Sequence, residues 1–441
     1  MMSDQRPIIV HNYLTKYGMK FWQAEVNLSN HFNNIVIVPA VQEFQNIIKL
    51  IDALNDNDKK YFDETLVLFV INNLKSSSQE VKEDNKKTLE LLRNIIYEQS
   101  NNELNIGLVD ASANGFELPE KEGGVGFARK IGMDLALTLF NYSINRKKIL
   151  ICLDADCIVS ENYLSTIVQS FNQSNMQAAY VSYEHILPED ETSQRAIICY
   201  ELFLRYYYLG LKYACSPFAF PTIGSTMVCD YESYIKIGGM NKKKAAEDFY
   251  FMEKLAKTTE IKKIDSATVY PSSRGSWRVP FGTGQRVNRY LNNTHNEYVL
   301  FDPKSFQILK LWLEIFNSKK NFTTAEYLSN AKSIHTSLHK FLQLNSFEKS
   351  WDKIVRSSKS ANQIQRQKLL WFDGFRTFKL IHFLRDNGFP MINMFDALDE
   401  LLRIENEEPA CRKVRLRIER KESVPGLDKQ IEYLSMLRKL S

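Results

Sequence analysis

The chain offers little sulfur chemistry. Its six cysteines (Cys152, Cys157, Cys199, Cys215, Cys229 and Cys411) form no CxxC pair, and their spacing suggests neither a zinc site nor a disulfide framework. Free, mostly buried thiols in a reducing compartment are expected. No window reaches the roughly 18 apolar residues of a membrane span. The opening stretch MMSDQRPIIVHNYLTK lacks the apolar region of a secretory leader. A cytoplasmic protein, at most peripheral to the inner face of a membrane, is the expectation. Charge is not in excess either: 57 Lys and Arg against 52 Asp and Glu leave +5 over 441 residues. That balance gives no ground for a nucleic-acid partner. No internal repeat or low-complexity tract is present.

What remains is an ordinary globular composition, 44% hydrophobic and 25% charged. Short apolar runs at 35–38, 66–71, 106–109 and 149–153 read as strands. Between them, Phe44, Ile47, Ile48, Ile51 and Leu54 fall at helical spacing, and Leu91, Leu92, Ile95 and Ile96 share a face of a second helix over 79–98. Alternating apolar strands and helices predict an α/β fold with a mostly parallel sheet flanked by helices. Further strands are expected at 178–182, 226–229 and 261–270, and a long helix at 193–213. From about 305 to 408 the pattern is helical, with a capping-box start at Thr323-Thr-Ala-Glu326 and a stop at Asn387-Gly388. The basic segment 412–420 alternates like an edge strand. The expected organisation is an extension over 1–30, a catalytic domain over 31–300 and a mainly helical region over 301–441.

In parallel α/β sheets ligands bind beyond the carboxyl ends of the strands. The run ILICLDAD ends there on Asp154 and Asp156. If the segment stays extended, residues two apart project to one side and can share a hard divalent cation; a solvated turn is the alternative. Gly124-Val-Gly126-Phe-Ala-Arg129-Lys130 opens a helix with glycines and positive charge, suited to an anion or to a plain loop-to-helix turn. Glu247 and Asp248 open another helix. They are either acids at the positive end of a helix dipole or a general base beside the crevice. The stretch 272–286, rich in Gly, Ser and Arg and carrying Trp277 and Arg278, suits a substrate-covering loop. His335 and His339 are four apart but have no further ligand pattern around them.

Five segments over about 33–290 together resemble glycosyltransferase family 2, inverting enzymes of the GT-A fold. VIVPAVQE (36–43) resembles the family's opening strand and donor loop. GxxxARKxG (124–132) resembles its helix start, and LDAD (153–156) looks like its DxD motif. GSTMVCDYESYIKIGGMN (224–241) is similar to the segment before its acceptor site, and EDFYFMEKL (247–255) to its acidic helix. The resemblance implies a nucleoside-diphosphate sugar donor and an acceptor hydroxyl on a saccharide, lipid-linked or protein-linked carrier, in polysaccharide or glycoconjugate assembly. It puts Pro39, Ala40, Glu43, Asn72, Arg129, Lys130, Asp154 and Asp156 on the donor side, with Mn2+ or Mg2+ on Asp154 and Asp156. It makes Asp248 the base, with Glu247, Gly224 and Ser225 on the acceptor side; Trp277 and Arg278 join them from the covering loop. Two departures stand out. The second strand ends in Asn72-Asn73 where the family has acids, and no QxxRW motif of processive members is present. Single addition is therefore expected. The region after 300 has no family counterpart and is expected to cover the site, bind acceptor or form a homodimer. The competing readings are a sugar-phosphate nucleotidyltransferase, which would need a Gly-rich basic loop after the first strand, and a binding scaffold, which would have no need of Asp154, Asp156 and Asp248.

Overall fold

A computed structural model describes residues 6–27, 32–99, 103–276, 282–320, 322–407 and 422–441. The chain divides into two compact units, one of residues 1–186 and 222–285, the other of 187–221 and 286–441.

The first unit is built on a nine-stranded sheet in the order β1-β4-β3-β2-β5-β8-β7-β9-β6. The strands are β1 (Ala24–Glu25), β2 (Asn34–Ala40), β3 (Thr65–Asn72), β4 (Asn105–Ala111), β5 (Ile149–Cys152), β6 (Ile158–Val159), β7 (Ala178–Tyr183), β8 (Met227–Asp230) and β9 (Ile261–Tyr270). Every residue of β2 and β3 is buried, as β-branched runs inside a covered sheet should be. The longer ladders, β2 with β3 and β5, β3 with β4, and β7 with β9, are parallel. β8 runs antiparallel to both β5 and β7, and β1 and β6 pair antiparallel at the edges, so the sheet is mostly parallel in its longer ladders and mixed elsewhere. An apolar run carries no mark of its direction, and β8 follows directly on the short turn at Gly224–Thr226.

The helices up to this point in the chain are α1 (Ile8–Tyr17), α2 (Phe44–Asn55), α3 (Gln79–Glu98), α4 (Val125–Leu139), α5 (Tyr163–Gln173), α6 (Glu191–Tyr213), α7 (Tyr231–Lys236) and α8 (Glu247–Ala256). α2 buries Ile47, Leu50, Ile51 and Leu54, close to the face read from the spacing. α4 lies tight on the sheet: a Cβ added at Gly132 would meet the side chains of Ile37 on β2 and Val70 on β3. Small residues at such points let a helix approach a sheet closely.

The second unit takes α6, then α9 (Thr283–Leu291), which crosses the boundary in sequence, β10 (Val299–Leu300), α10 (Lys304–Phe316), α11 (Thr324–Ile334), α12 (Thr336–Leu344), α13 (Phe347–Ser357), α14 (Ala361–Trp371), α15 (Gly374–Asp386), β11 (Ile392–Asn393), α16 (Met394–Glu407) and α17 (Leu427–Leu440). The capping box at Thr323 and Glu326 is formed, and α15 stops at Asn387 before a positive-φ Gly388. Its core is aromatic: Trp312 stacks on Phe316 at 5.0 Å, within a cluster that includes Tyr327, Phe347, Trp351 and Trp371. Gly210 on α6 faces the ring of Phe306 on α10, where a Cβ would not fit. His335 caps α12, its Nδ1 accepting from the Ser337 N–H at 3.1 Å. The expected edge strand at 412–420 and Cys411 lie outside the described residues. Cys152, Cys157, Cys199 and Cys229 are buried and Cys215 is exposed, all free thiols. No described helix is long and apolar enough to cross a membrane.

Candidate active site

The carboxyl ends of β2, β3 and β5 adjoin one another in the parallel part of the sheet, and the loops after β2 and β5 carry Glu43 and the pair Asp154 and Asp156. After β5 the chain does not continue as a strand. The Cys157 N–H donates to the Asp154 carbonyl at 3.1 Å, closing a turn over 154–157. Asp154 and Asp156 therefore do not project as an alternating pair. They stand on one turn and are held by different arginines. Arg129 Nη2 donates to Asp154 Oδ1, and Arg274 Nη2 pairs with Asp156 Oδ2 at 2.9 Å. Their side chains keep 35% and 22% of their exposure, so both carboxylates still reach solvent.

Arg129 is the hinge of the arrangement. It lies in the second turn of α4 with its side chain 2% exposed, and its other nitrogen, Nη1, donates to Glu247 Oε1 at the start of α8. Two motifs far apart in sequence, the LDAD turn and the Glu247-Asp248 helix start, are thus tied through one guanidinium. The glycines before α4 serve this approach. A Cβ at Gly126 would meet the Lys243 carbonyl and the Glu247 side chain, and one at Gly124 would press on Lys244. The Gly-rich start of α4, suited by sequence to an anion or to a plain loop-to-helix turn, packs against the protein's own loop 243–247.

Asp248 is half-buried beside Glu247. Burial foremost, and then the Glu247 charge, push its carboxyl up to about 7; Arg129 pulls the other way. Burial likewise raises Glu247, against the pull of Arg129. The first turn of α8 has no side-chain cap, and Ala246 before it sits in left-handed backbone at φ 57. Asn241 Nδ2 steadies the turn by donating to the Glu247 carbonyl at 2.8 Å.

The structure places the other expected donor residues unevenly. Pro39 and Ala40 end β2, both buried. Glu43, 6% exposed, accepts from Asn46 and pairs with Arg274, so it belongs to the same carboxylate crevice. Asn72 spends its amide on the carbonyls of Ala40 and Val70, at 3.0 and 3.1 Å, and so braces the loop after β2. Lys130 does not join the site. Its ammonium is buried against Asp134 at 2.8 Å and Tyr13 at 3.1 Å, and Asp134 also accepts from Tyr234. Consecutive helical residues point about 100° apart at 3.6 residues per turn, so Arg129 and Lys130 serve different sides of α4. Gly224 and Ser225 lie behind Arg129: a Cβ at Gly224 would strike its guanidinium, and Ser225 is 1% exposed. Trp277 and Arg278 lie outside the described residues.

Sequence reasoning passed over two contributors. Arg274 stood in the Gly/Ser-rich stretch as one basic residue among several, and its two carboxylate partners became visible only in the fold. Asn85 on α3, 1% exposed, accepts from the Gln42 N–H at 2.9 Å and donates to the Asn72 carbonyl and Asn73, fixing the loops after β2 and β3. Among the described residues no group of three His, Cys, Asp or Glu is placed to hold a metal ion by itself.

No protein-family model matches the chain, and no curated protein matches it. Among solved structures it is similar to S. aureus TarS in complex with UDP-GlcNAc, at 14% identity over 80% of this chain and 88% of that one, TM-score 0.38. It is similar to the mannosyltransferase PcManGT from Pyrobaculum calidifontis in complex with GDP-Man and Mn2+, at 14% identity over 85% and 90%, TM-score 0.36. A third is GalNAc-T7 with UDP, GalNAc and Mn2+, at 12% identity over 69% and 55%, TM-score 0.35. At these TM-scores the likeness carries no argument about what this chain does.

Proposed function

We propose that the chain is a glycosyltransferase that moves a sugar from a nucleoside-diphosphate sugar to an acceptor hydroxyl, with inversion. The observation that carries the reading is the Asp154–Arg129–Glu247 bridge, which brings a carboxylate turn suited to a diphosphate and an acid of raised pKa to the same end of the sheet. Asp248, titrating near neutrality, is matched to general-base work. It takes the proton of the acceptor hydroxyl as that oxygen bonds the anomeric carbon. The bond from that carbon to the diphosphate oxygen breaks, and the nucleoside diphosphate leaves with the electron pair. One displacement inverts the centre.

Asp154 and Asp156 fit a divalent cation by their chemistry: two partly exposed carboxylates on one turn, with hard oxygen donors. Mg2+ and Mn2+ commonly take one or two protein carboxylates together with substrate phosphates, so a third protein ligand is not needed. Bound there, either ion would neutralise charge on the departing diphosphate. Arg274, beside Asp156 and Glu43, adds a cation on the same side. Pro39, Ala40 and Asn72 shape the loop facing the nucleotide. The reading includes addition of single sugars in glycoconjugate or polysaccharide assembly.

A thermal-shift screen of UDP-, GDP-, CMP- and dTDP-sugars with Mn2+, Mg2+ or EDTA tests the proposal. A donor at about 100 times its Kd adds about 2.7 kcal/mol of apparent stability. A metal-dependent shift confined to one nucleotide class is the expected result. No shift with any donor overturns it.

A further inference from the structure

The family resemblance puts Arg129 against the donor, but its position does not allow that. Its side chain is 2% exposed and walled by the LDAD turn, the start of α8 and Gly224. Asp154 and Glu247 take its two terminal nitrogens. A guanidinium so enclosed meets no sugar nucleotide. What it does meet is one acid from each half of the proposed reaction: Asp154 on the diphosphate side and Glu247, the immediate neighbour of the base. α8 also starts without a side-chain cap, from a left-handed residue, and the Arg129–Glu247 pair and Asn241 hold its first turn from outside the helix.

We infer that Arg129 is a positioning residue: through Glu247 it fixes Asp248 relative to the Asp154 turn, without touching donor or acceptor. The inference rests on the glycosyltransferase reading above. Its physical basis is the planar fork of arginine, which can span two carboxylates in one fixed geometry, whereas an ammonium is a point charge on a flexible stem. A base misplaced by about 1 Å loses on the order of a hundredfold in rate. Gly224 belongs to the same device, since any side chain there would push into the guanidinium.

The test uses the full chain with two variants. Arg129→Lys keeps the charge and loses the fork. The pair Arg129→Met with Glu247→Gln removes both buried charges together, so neither is left alone, and it carries the test should the lysine variant not fold. Donor affinity is read by calorimetry with UDP-glucose, UDP-N-acetylglucosamine and GDP-mannose in Mn2+. Turnover is read as nucleoside diphosphate released from whichever of these binds. The expected result is a kcat at least 100-fold below wild type with donor Kd within threefold. Arg129→Lys with kcat within threefold of wild type overturns the inference. So does a loss of donor affinity as large as the loss of kcat, which would put Arg129 on the donor itself. Either result, with an active wild type, leaves the transferase reading standing. A wild type that neither binds nor cleaves any of these donors, nor any donor of the wider screen above, overturns that reading and the inference with it.

Discussion

Asp248→Asn separates ionisation from shape. Asp248 carries a carboxyl pushed from the ordinary 3.8 to about 7 by burial and the neighbouring Glu247 charge. The shift is about three pK units, and at 1.36 kcal/mol per unit the ceiling on its energetic weight is about 4 kcal/mol. Solvent reaches the half-buried group, so about 2 kcal/mol is the working figure. The sign follows from proton uptake. Between about pH 4 and 7 the folded protein holds a proton that the unfolded chain has released. The stability of the wild type therefore falls as pH rises through this window, and the ionisation penalty is complete above pH 7. Asparagine cannot ionise, so the variant lacks this slope. Melting curves of the two proteins should coincide near pH 4, and the variant should melt about 4 °C higher at pH 8, the shift that ~2 kcal/mol produces in a unit of this size. Over the same range, wild-type turnover should rise with pH through about 7, while the variant loses on the order of a thousandfold with donor affinity intact. A melting difference that does not change with pH, or one that grows toward acid, refutes the assigned ionisation. Wild-type-like turnover by the variant refutes the role.

Asp156→Ala should weaken donor binding in the presence of Mn2+ by at least tenfold in calorimetry, and equal affinity would remove this acid from the donor site. Lys130→Met leaves Asp134 buried without its cation, and should lower stability by about 3–5 kcal/mol in denaturant titration while donor Kd stays within threefold. Gly132→Ala drives a methyl into Ile37 and Val70, and should lower the first unit's stability by about 1–3 kcal/mol, read from its unfolding midpoint. Trp312→Ala empties the aromatic centre of the second unit, and should lower that unit's stability by about 3–5 kcal/mol with donor binding retained.

Much of the frame was legible because it rests on local rules. The runs around 35–38, 66–71 and 149–153 became strands because β-branched residues without breakers suit a sheet covered on both faces. Thr323 and Glu326 announced a helix start because their reciprocal hydrogen bonds need only four consecutive residues. The candidate acids were visible for the same reason: a carboxylate at the end of an apolar run demands a partner, a cation or water. The direction of β8 was not legible, because a short apolar run is the same read either way. Whether the chain turned or stayed extended after Leu153 was left open by the sequence, because the hydrogen bond that closes the turn is made by backbone and not by any marked residue.

The sequence by itself determined which residues could do chemistry and at which strand ends they would stand, since hydrophobic periodicity and the ends of apolar runs are written in neighbouring residues. The tertiary structure decided what each of them faces. Arg129 and Lys130 are adjacent and alike in charge, yet one bridges Asp154 and Glu247 and the other is sealed with Asp134 and Tyr13. The rise of Asp248 toward neutrality is local only in part: the Glu247 charge is next to it in sequence, but the burial that contributes most is set by the fold, and Arg129, brought in on α4, pulls the other way. Pairing of side chains across long stretches of chain depends on how helices rotate and dock, and no spacing rule within a sequence fixes that rotation.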